Sequence, residues 1–178
     1  MDMISGSATA YAALHRQMTE LLPELRAFAR FLVRDRSEAD DLVQEALVRA
    51  LGALAQFQQG TSLRAWLFTI VRNAFYEQAR RRRTEKAALE RVGMTEQASA
   101  PHQENETELA DLQRLIWTLP PLLREALVLV GAQGLAHEEA AKICNVPVGT
   151  MKARVSRARA KIAQQIEQKR SGDLLHDP

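Results

Sequence analysis

Apolar residues in this chain recur three and four positions apart far more often than they alternate, which is the spacing of helices with one buried face. Leu21 to Val33 predicts a first apolar helix. A polar break, Arg34-Asp35-Arg36-Ser37, follows, with Ser37 placed to cap the next helix and Asp40 three residues later. In that helix Leu42, Val43, Ala46, Leu47, Ala50, Leu51 and Leu54 trace one apolar face. Glu38, Asp40, Asp41 and Glu45 crowd its first turns, where the helix dipole favours negative charge. Gln56 to Thr61 reads as a loop, and Ser62 or Thr61 can cap a third helix. That helix turns Leu63, Trp66, Leu67, Ile70 and Val71 inward and ends in the run Arg80-Arg81-Arg82-Arg83.

The periodicity collapses between about Val92 and Glu106 into Gly93, Ser99, Pro101 and polar residues, the composition of a linker. It resumes at Leu109, with Leu112, Leu115 and Ile116 on one face. Pro120-Pro121 restarts the chain into Leu122 to Leu129, and a connection from Gly131 to Gly134 leads to a short helix, Ala136 to Ile143. The turn Cys144-Asn145-Val146 precedes a last helix opening near Pro147, and the tail after Arg170 reads as disordered. The expected fold is all-α: two small helical domains joined by a flexible linker.

Charge changes the picture more by its distribution than by its sum. The 178 residues carry a net charge of only +2. Yet Arg64 to Arg91 holds eight basic residues against three acids, and Lys152 to Arg170 holds seven against one. Between them, over residues 96–114, Glu96, Glu104, Glu106, Glu108 and Asp111 face Arg114 alone. Two basic blocks separated by an acidic stretch suggest two surfaces for one polyanion. The single cysteine, Cys144, excludes an internal disulfide framework and suits a reducing cytoplasm, the expected location. The N-terminus lacks the pattern of a signal peptide, and no stretch approaches a membrane span.

A short helix, a three-residue turn and a second helix form a helix-turn-helix pattern. In its second helix Val148, Met151, Val155, Ala158 and Ile162 make a buried stripe. Thr150, Lys152, Arg154, Ser156, Arg157, Arg159 and Lys161 take the remaining surface. Such a helix can lie in the DNA major groove, with Arg and Lys on guanine acceptors or phosphates. The plainer reading is a solvated basic face, and the near absence of acids weighs against it. In the first half, Arg80 to Arg83 reads equally well as a solvated helix end stabilised by the dipole. Phe57, Trp66, Phe68, Phe75 and Tyr76 add rings of the kind that stack on unpaired bases, though Trp66 fits a core position as readily. His15, His102, His137 and His176 are scattered, none paired with Cys144 at metal-ligand spacing. No phosphate-cradling loop, nucleophile elbow or carboxylate pair stands out. No catalytic residue, metal or cofactor is expected, and no small-molecule substrate.

Four blocks together resemble bacterial RNA polymerase sigma factors. Asp40 to Ala50 resembles the signature helix of sigma domain 2, and Leu63 to Asn73 its promoter-melting helix. Leu119 to Ala126 and Val148 to Arg159 resemble sigma domain 4. The lack of other sigma domains marks the extracytoplasmic-function (ECF) group, and Gly60 to Thr69 resembles the EcfG-type general stress factors of alphaproteobacteria. The implied organisation is an extension over 1–17, domain 2 over 18–91, a linker over 92–106, domain 4 over 107–170 and a disordered tail over 171–178. The resemblance implies that Asp40, Asp41, Gln44 and Glu45 grip the β′ clamp helices of core RNA polymerase. It implies that Phe57, Gly60, Thr61 and Ser62, with Arg72, Asn73, Arg80 and Arg81, read and open the −10 DNA. Trapping a flipped base there costs a few kcal/mol that a pocket must offset. Thr150, Lys152, Arg154, Ser156 and Arg157 match the −35 readers, and Ala153 stands where many relatives have serine. Further implied partners are the β flap, promoter DNA with a GGAAC-like −35 element, and a NepR-like anti-sigma factor that holds the protein inactive.

Two rivals remain in view. A sigma-like decoy that binds only an anti-sigma factor should carry a receiver domain and lack the basic readers, which this sequence keeps. A plain helix-turn-helix repressor explains the second half but leaves the acidic helix, Trp66 and the Arg80 run without a purpose.

Overall fold

The computed structural model describes residues 3–58, 60–91 and 108–173, with side chains over 11–58, 60–89 and 112–171. Every element among the described residues is helical. The predicted linker over 92–106 and most of the predicted tail lie outside the described residues. The chain divides into two compact units, the first carrying α1 as far as Arg30, α2 and α3, and the second carrying Phe31–Asp35 and α4 to α7.

In the first unit α1 spans Met3–Leu32, α2 Arg36–Gly52 and α3 Leu63–Arg91, with a single 3₁₀ turn at Leu54–Gln56. The first helix begins well before the expected Leu21 and runs through Pro23, which is exposed. A proline there leaves the carbonyl of Thr19 without its helical donor. The second helix starts one residue ahead of Ser37, placing Ser37 inside the first turn rather than before it. The core is Leu25, Phe28, Ala29, Leu42, Val43, Ala46, Leu63, Leu67, Phe68 and Val71. Phe28 and Phe68 meet edge to face with centroids 5.0 Å apart, the favoured geometry for aromatic pairs. Leu51, expected on the inner face of α2, is 48% exposed. The third helix continues eight residues past Arg83. The tetrabasic run is therefore mid-helix, where end-dipole stabilisation does not reach.

In the second unit α4 spans Glu108–Thr118 and α5 spans Pro121–Leu127. Pro121 sits at the first helical position, where a missing N–H costs nothing. The helix then widens into a π-turn over Val128–Ala132, with Gln133 N–H donating to the Val128 carbonyl at 2.9 Å. Gly134 takes a φ of +66° in the connection to α6, His137–Cys144. The last helix, α7, spans Val148–Asp173. Ile116, Leu119, Ala126, Val128, Leu129, Leu135, Ala140, Ile143, Met151, Val155 and Ala158 form the core. Arg124 is also buried, its guanidinium 3.7 Å over the Trp117 ring, an offset to the cost of desolvating the charge.

Candidate nucleic-acid interface

The helix-turn-helix is set by one backbone feature. Asn145 closes α6 in the left-handed region at φ 51°, a conformation its short polar side chain tolerates better than most. Its N–H donates to the Lys142 carbonyl at 3.1 Å, and Val146 N–H reaches back to Ala141 at 3.0 Å. The Pro147 carbonyl accepts from Met151 N–H at 3.1 Å, so proline stands just before α7 rather than within it. Met151, Val155 and Ala158 are fully buried, and Val148 and Ile162 half-buried, which anchors the helix by the predicted stripe.

Helical spacing places Gly149, Ala153, Ser156 and Ala160 on the line farthest from this stripe. Lys152 and Arg159 flank that line on one shoulder, with Thr150, Arg154, Arg157 and Lys161 on the other. Lys152, Ser156 and Arg157 are exposed, and Thr150 and Arg154 half-buried. Arg157 Nε donates to the Ala153 carbonyl at 3.3 Å. The Arg154 Nη1 is buried and has no hydrogen-bond partner among the described residues. Small residues between cationic shoulders let the helix approach a groove closely, with its first turns at the base edges.

In the first unit the −10 candidates gather around the start of α3. Ser62 caps that helix: its Oγ accepts from Ala65 N–H at 3.1 Å and its carbonyl from Trp66 N–H at 3.0 Å. The preceding turn closes on the Gln58 carbonyl, which accepts from Thr61 N–H at 3.2 Å and Thr61 Oγ1 at 2.7 Å. Gly60 takes a φ of +89°, which side-chain-bearing residues rarely adopt. Phe57 packs on Trp66 with ring centroids 5.3 Å apart, so both rings are half-buried and staple the loop to α3. Phe68, proposed as a stacking group, is fully buried against Phe28 and cannot meet a base.

Arg72, Asn73, Tyr76, Arg80 and Arg83 share one face of α3 at helical spacing. The Arg72 guanidinium lies 4.6 Å from the centroid of Tyr76, whose ring meets Phe75 edge-on at 5.1 Å. Asn73, Arg80, Arg81 and Arg83 are exposed. Arg82 turns the other way and pairs with Glu38 at 3.3 Å.

The acidic helix divides differently from the sequence expectation. Asp41 and Gln44 are exposed, sharing an outer face with Val48, 71% exposed, and Leu51. Val48 was missed; its signal was the spacing 41, 44, 48 on one side of the helix. Asp40 is half-buried and pairs with Arg26 at 3.5 Å. Glu45 is turned inward to a clasp between α2 and α3. It accepts from Gln78 Nε2 at 2.5 Å and pairs with Arg49, whose other nitrogen donates to Glu77 at 2.7 Å. The Gln78 hydrogen bond, with help from Arg49 and Arg81, holds the Glu45 carboxyl below its ordinary pKa. No cluster of metal-ligating side chains occurs among the described residues, and no helix there is long and apolar enough to cross a membrane.

The architecture and its charges define the class: a two-unit helical regulator that carries a helix-turn-helix and a second, separate basic face for nucleic acid. Residues 18–85 match sigma-70 region 2 and residues 109–162 match sigma-70 region 4. The chain is 44% identical over 151 residues to the ECF RNA polymerase sigma factor EcfG of Rhodopseudomonas palustris, covering 85% of this chain and 83% of that one. The sigma factor RpoE of Bartonella quintana, solved with the anti-sigma factor NepR, superposes with a TM-score of 0.74 at 39% identity, covering 86% and 96% of the two chains. CnrH, solved with the cytosolic domain of CnrY, gives 0.67 at 26% identity over 89% and 90%. This chain belongs to the sigma-70 family, as an ECF RNA polymerase sigma factor similar to the EcfG type. It is a transcription initiation factor that binds core RNA polymerase and directs it to promoters.

Proposed function

We propose that this sigma factor serves stress-responsive promoters in the cytoplasm, acting by binding rather than catalysis. Asp41 and Gln44, with Val48 beside them, meet the β′ clamp helices; Asp40 and Glu45 hold that helix in place. Gly60, Thr61 and Ser62 line a pocket for a flipped −10 base, with Arg72 and Asn73 beside it. Phe57 fixes the loop through Trp66. Thr150, Lys152, Arg154, Ser156 and Arg157 read the −35 duplex, and the β flap receives the second unit. Domain 2 then runs over 18–91, the linker over 92–106 and domain 4 over 107–170. A NepR-like anti-sigma factor holds the protein inactive, consistent with the complex solved for the Bartonella relative.

The observation that carries this reading is the pairing, in one chain, of an acidic-apolar outer face on α2 with two basic faces on separate units. A repressor requires only one of the three. The test is run-off transcription with core RNA polymerase, a promoter with a GGAAC-like −35 element and this protein as the added factor. The expected result is a discrete transcript that Arg154→Ala reduces about 5- to 150-fold, the loss of 1–3 kcal/mol of base discrimination. Tight binding to core polymerase with no transcript from any such promoter would refute it in favour of a decoy.

A further inference from the structure

Two contacts between α1 and α3 in the first unit step together along both helices. Phe28 meets Phe68 with ring centroids 5.0 Å apart, and one turn earlier on each helix Glu24 accepts from Arg64 Nε at 2.6 Å. The spacing is four residues on either helix, so the contacts stand about 6 Å apart along each axis. The aromatic contact lies in the core and fixes where α3 runs. The ion pair lies at the opening turn of α3, which begins at Leu63. Local rules do not account for an arginine there. The partial positive charge of a helix N-terminus disfavours a cation, and the first turn of α3 holds no acid to offset it. What favours Arg64 comes from elsewhere: the Glu24 carboxylate on α1, and the Phe68 ring 5.4 Å from its guanidinium.

The same opening turn carries the loop before α3. Phe57 packs on Trp66 with centroids 5.3 Å apart, and Ser62 accepts from the Ala65 and Trp66 N–H groups, so the loop is joined to the first turn. Gly60, Thr61 and Ser62 lie two to four residues from Arg64. We propose that Arg64 is a positioning residue for the −10 site: held by Glu24, it sets the first turn of α3 against α1 and so the place of the Gly60–Ser62 pocket, without itself touching DNA. The assignment rests on the proposed capture of a −10 base by that pocket. With side chains 29% and 41% exposed, the pair carries little weight in overall stability. Its leverage is geometric. A hydrogen bond from N–H to oxygen works over only about 2.7–3.2 Å, so a shift of ~1 Å in this turn is enough to lose one to a captured base.

The test uses the full chain in holoenzyme with core RNA polymerase, and fork DNA probes with an unpaired −10 segment. Each unpaired base is replaced in turn by the other three, and dissociation constants are measured for wild type, Arg64→Gln, Glu24→Gln and the double variant. In wild type the captured position should show the largest preference, about 5- to 150-fold between the right and the wrong base. Arg64→Gln and Glu24→Gln should each shrink that ratio by about 2- to 13-fold, the loss of one base-reading hydrogen bond. The double variant should be no worse than either single change, because both remove the same contact. An unchanged ratio overturns the proposal, including the case in which every probe weakens alike, since the pair would then only support the fold. A ratio lowered by Arg64→Gln and not by Glu24→Gln also overturns it. Neutralising Glu24 releases the arginine, so an Arg64 that touched DNA would bind better and a positioned one worse. Losses that add in the double variant would likewise show two separate roles. If wild-type holoenzyme shows no base preference at any unpaired position, the −10 capture reading beneath the proposal fails instead.

Discussion

Neutralising Glu45 should loosen the first unit before it affects polymerase binding directly. The perturbation is Glu45→Gln, which keeps the shape and removes the charge. In the native fold this carboxylate accepts from Gln78 and pairs with Arg49, itself tied to Glu77, so one group joins α2 to α3 at two points. Hydrogen bonds to charged groups are worth about 1.5–3 kcal/mol when buried, and exposed ion pairs about 0.2–1. The Glu45 and Arg49 side chains are 34% and 33% exposed, between those limits, so solvent screening brings the expectation to about 1 kcal/mol. For a unit of this size that is roughly 4–8 °C in Tm.

The sign with pH follows from the depressed pKa. A carboxyl held below its unfolded value contributes stability that is present above that value, about 4.5, and is lost as pH falls through the folded one. The gap between wild type and Glu45→Gln should therefore be full at pH 7 and close as the solution is acidified below about 4.5. The assay is thermal and urea unfolding followed by Trp66 fluorescence, in a Trp117→Phe background that leaves one reporter in the first unit. Coincident melting of the two proteins at pH 7, or a gap that widens on acidification, would refute the clasp.

Three other changes address separate parts of the chain. Phe68→Ala removes a fully buried ring packed against Phe28 and should cost about 3–5 kcal/mol, read as a lower urea midpoint for the first unit. Asn145→Ala puts a plain side chain at φ 51° and should cost about 1 kcal/mol by Trp117-reported unfolding. Asn145→Gly at the same place should cost nothing measurable.

Much of this protein was legible before folding because helices advertise themselves locally. The stripe Met151-Val155-Ala158, the Ser62 cap, the proline start of α5 and the turn at Asn145 each depend on residues within a turn or two of one another. The two-domain helical class and the sigma resemblance followed from such local patterns taken in order. Where the sequence reading failed, the deciding partner lay far along the chain. Phe68 looks like any aromatic near arginines until Phe28, forty residues earlier, covers it. Glu45 looks like its neighbour Asp41 until Gln78 and the Arg49–Glu77 pair draw it inward. Arg82 is identical in type to Arg80 and Arg83, yet it pairs with Glu38, forty-four residues earlier. Residue type and spacing determine which side chains share a helix face. Whether that face meets solvent, another helix or DNA is decided by which distant helix packs against it, and that depends on contacts no local window contains.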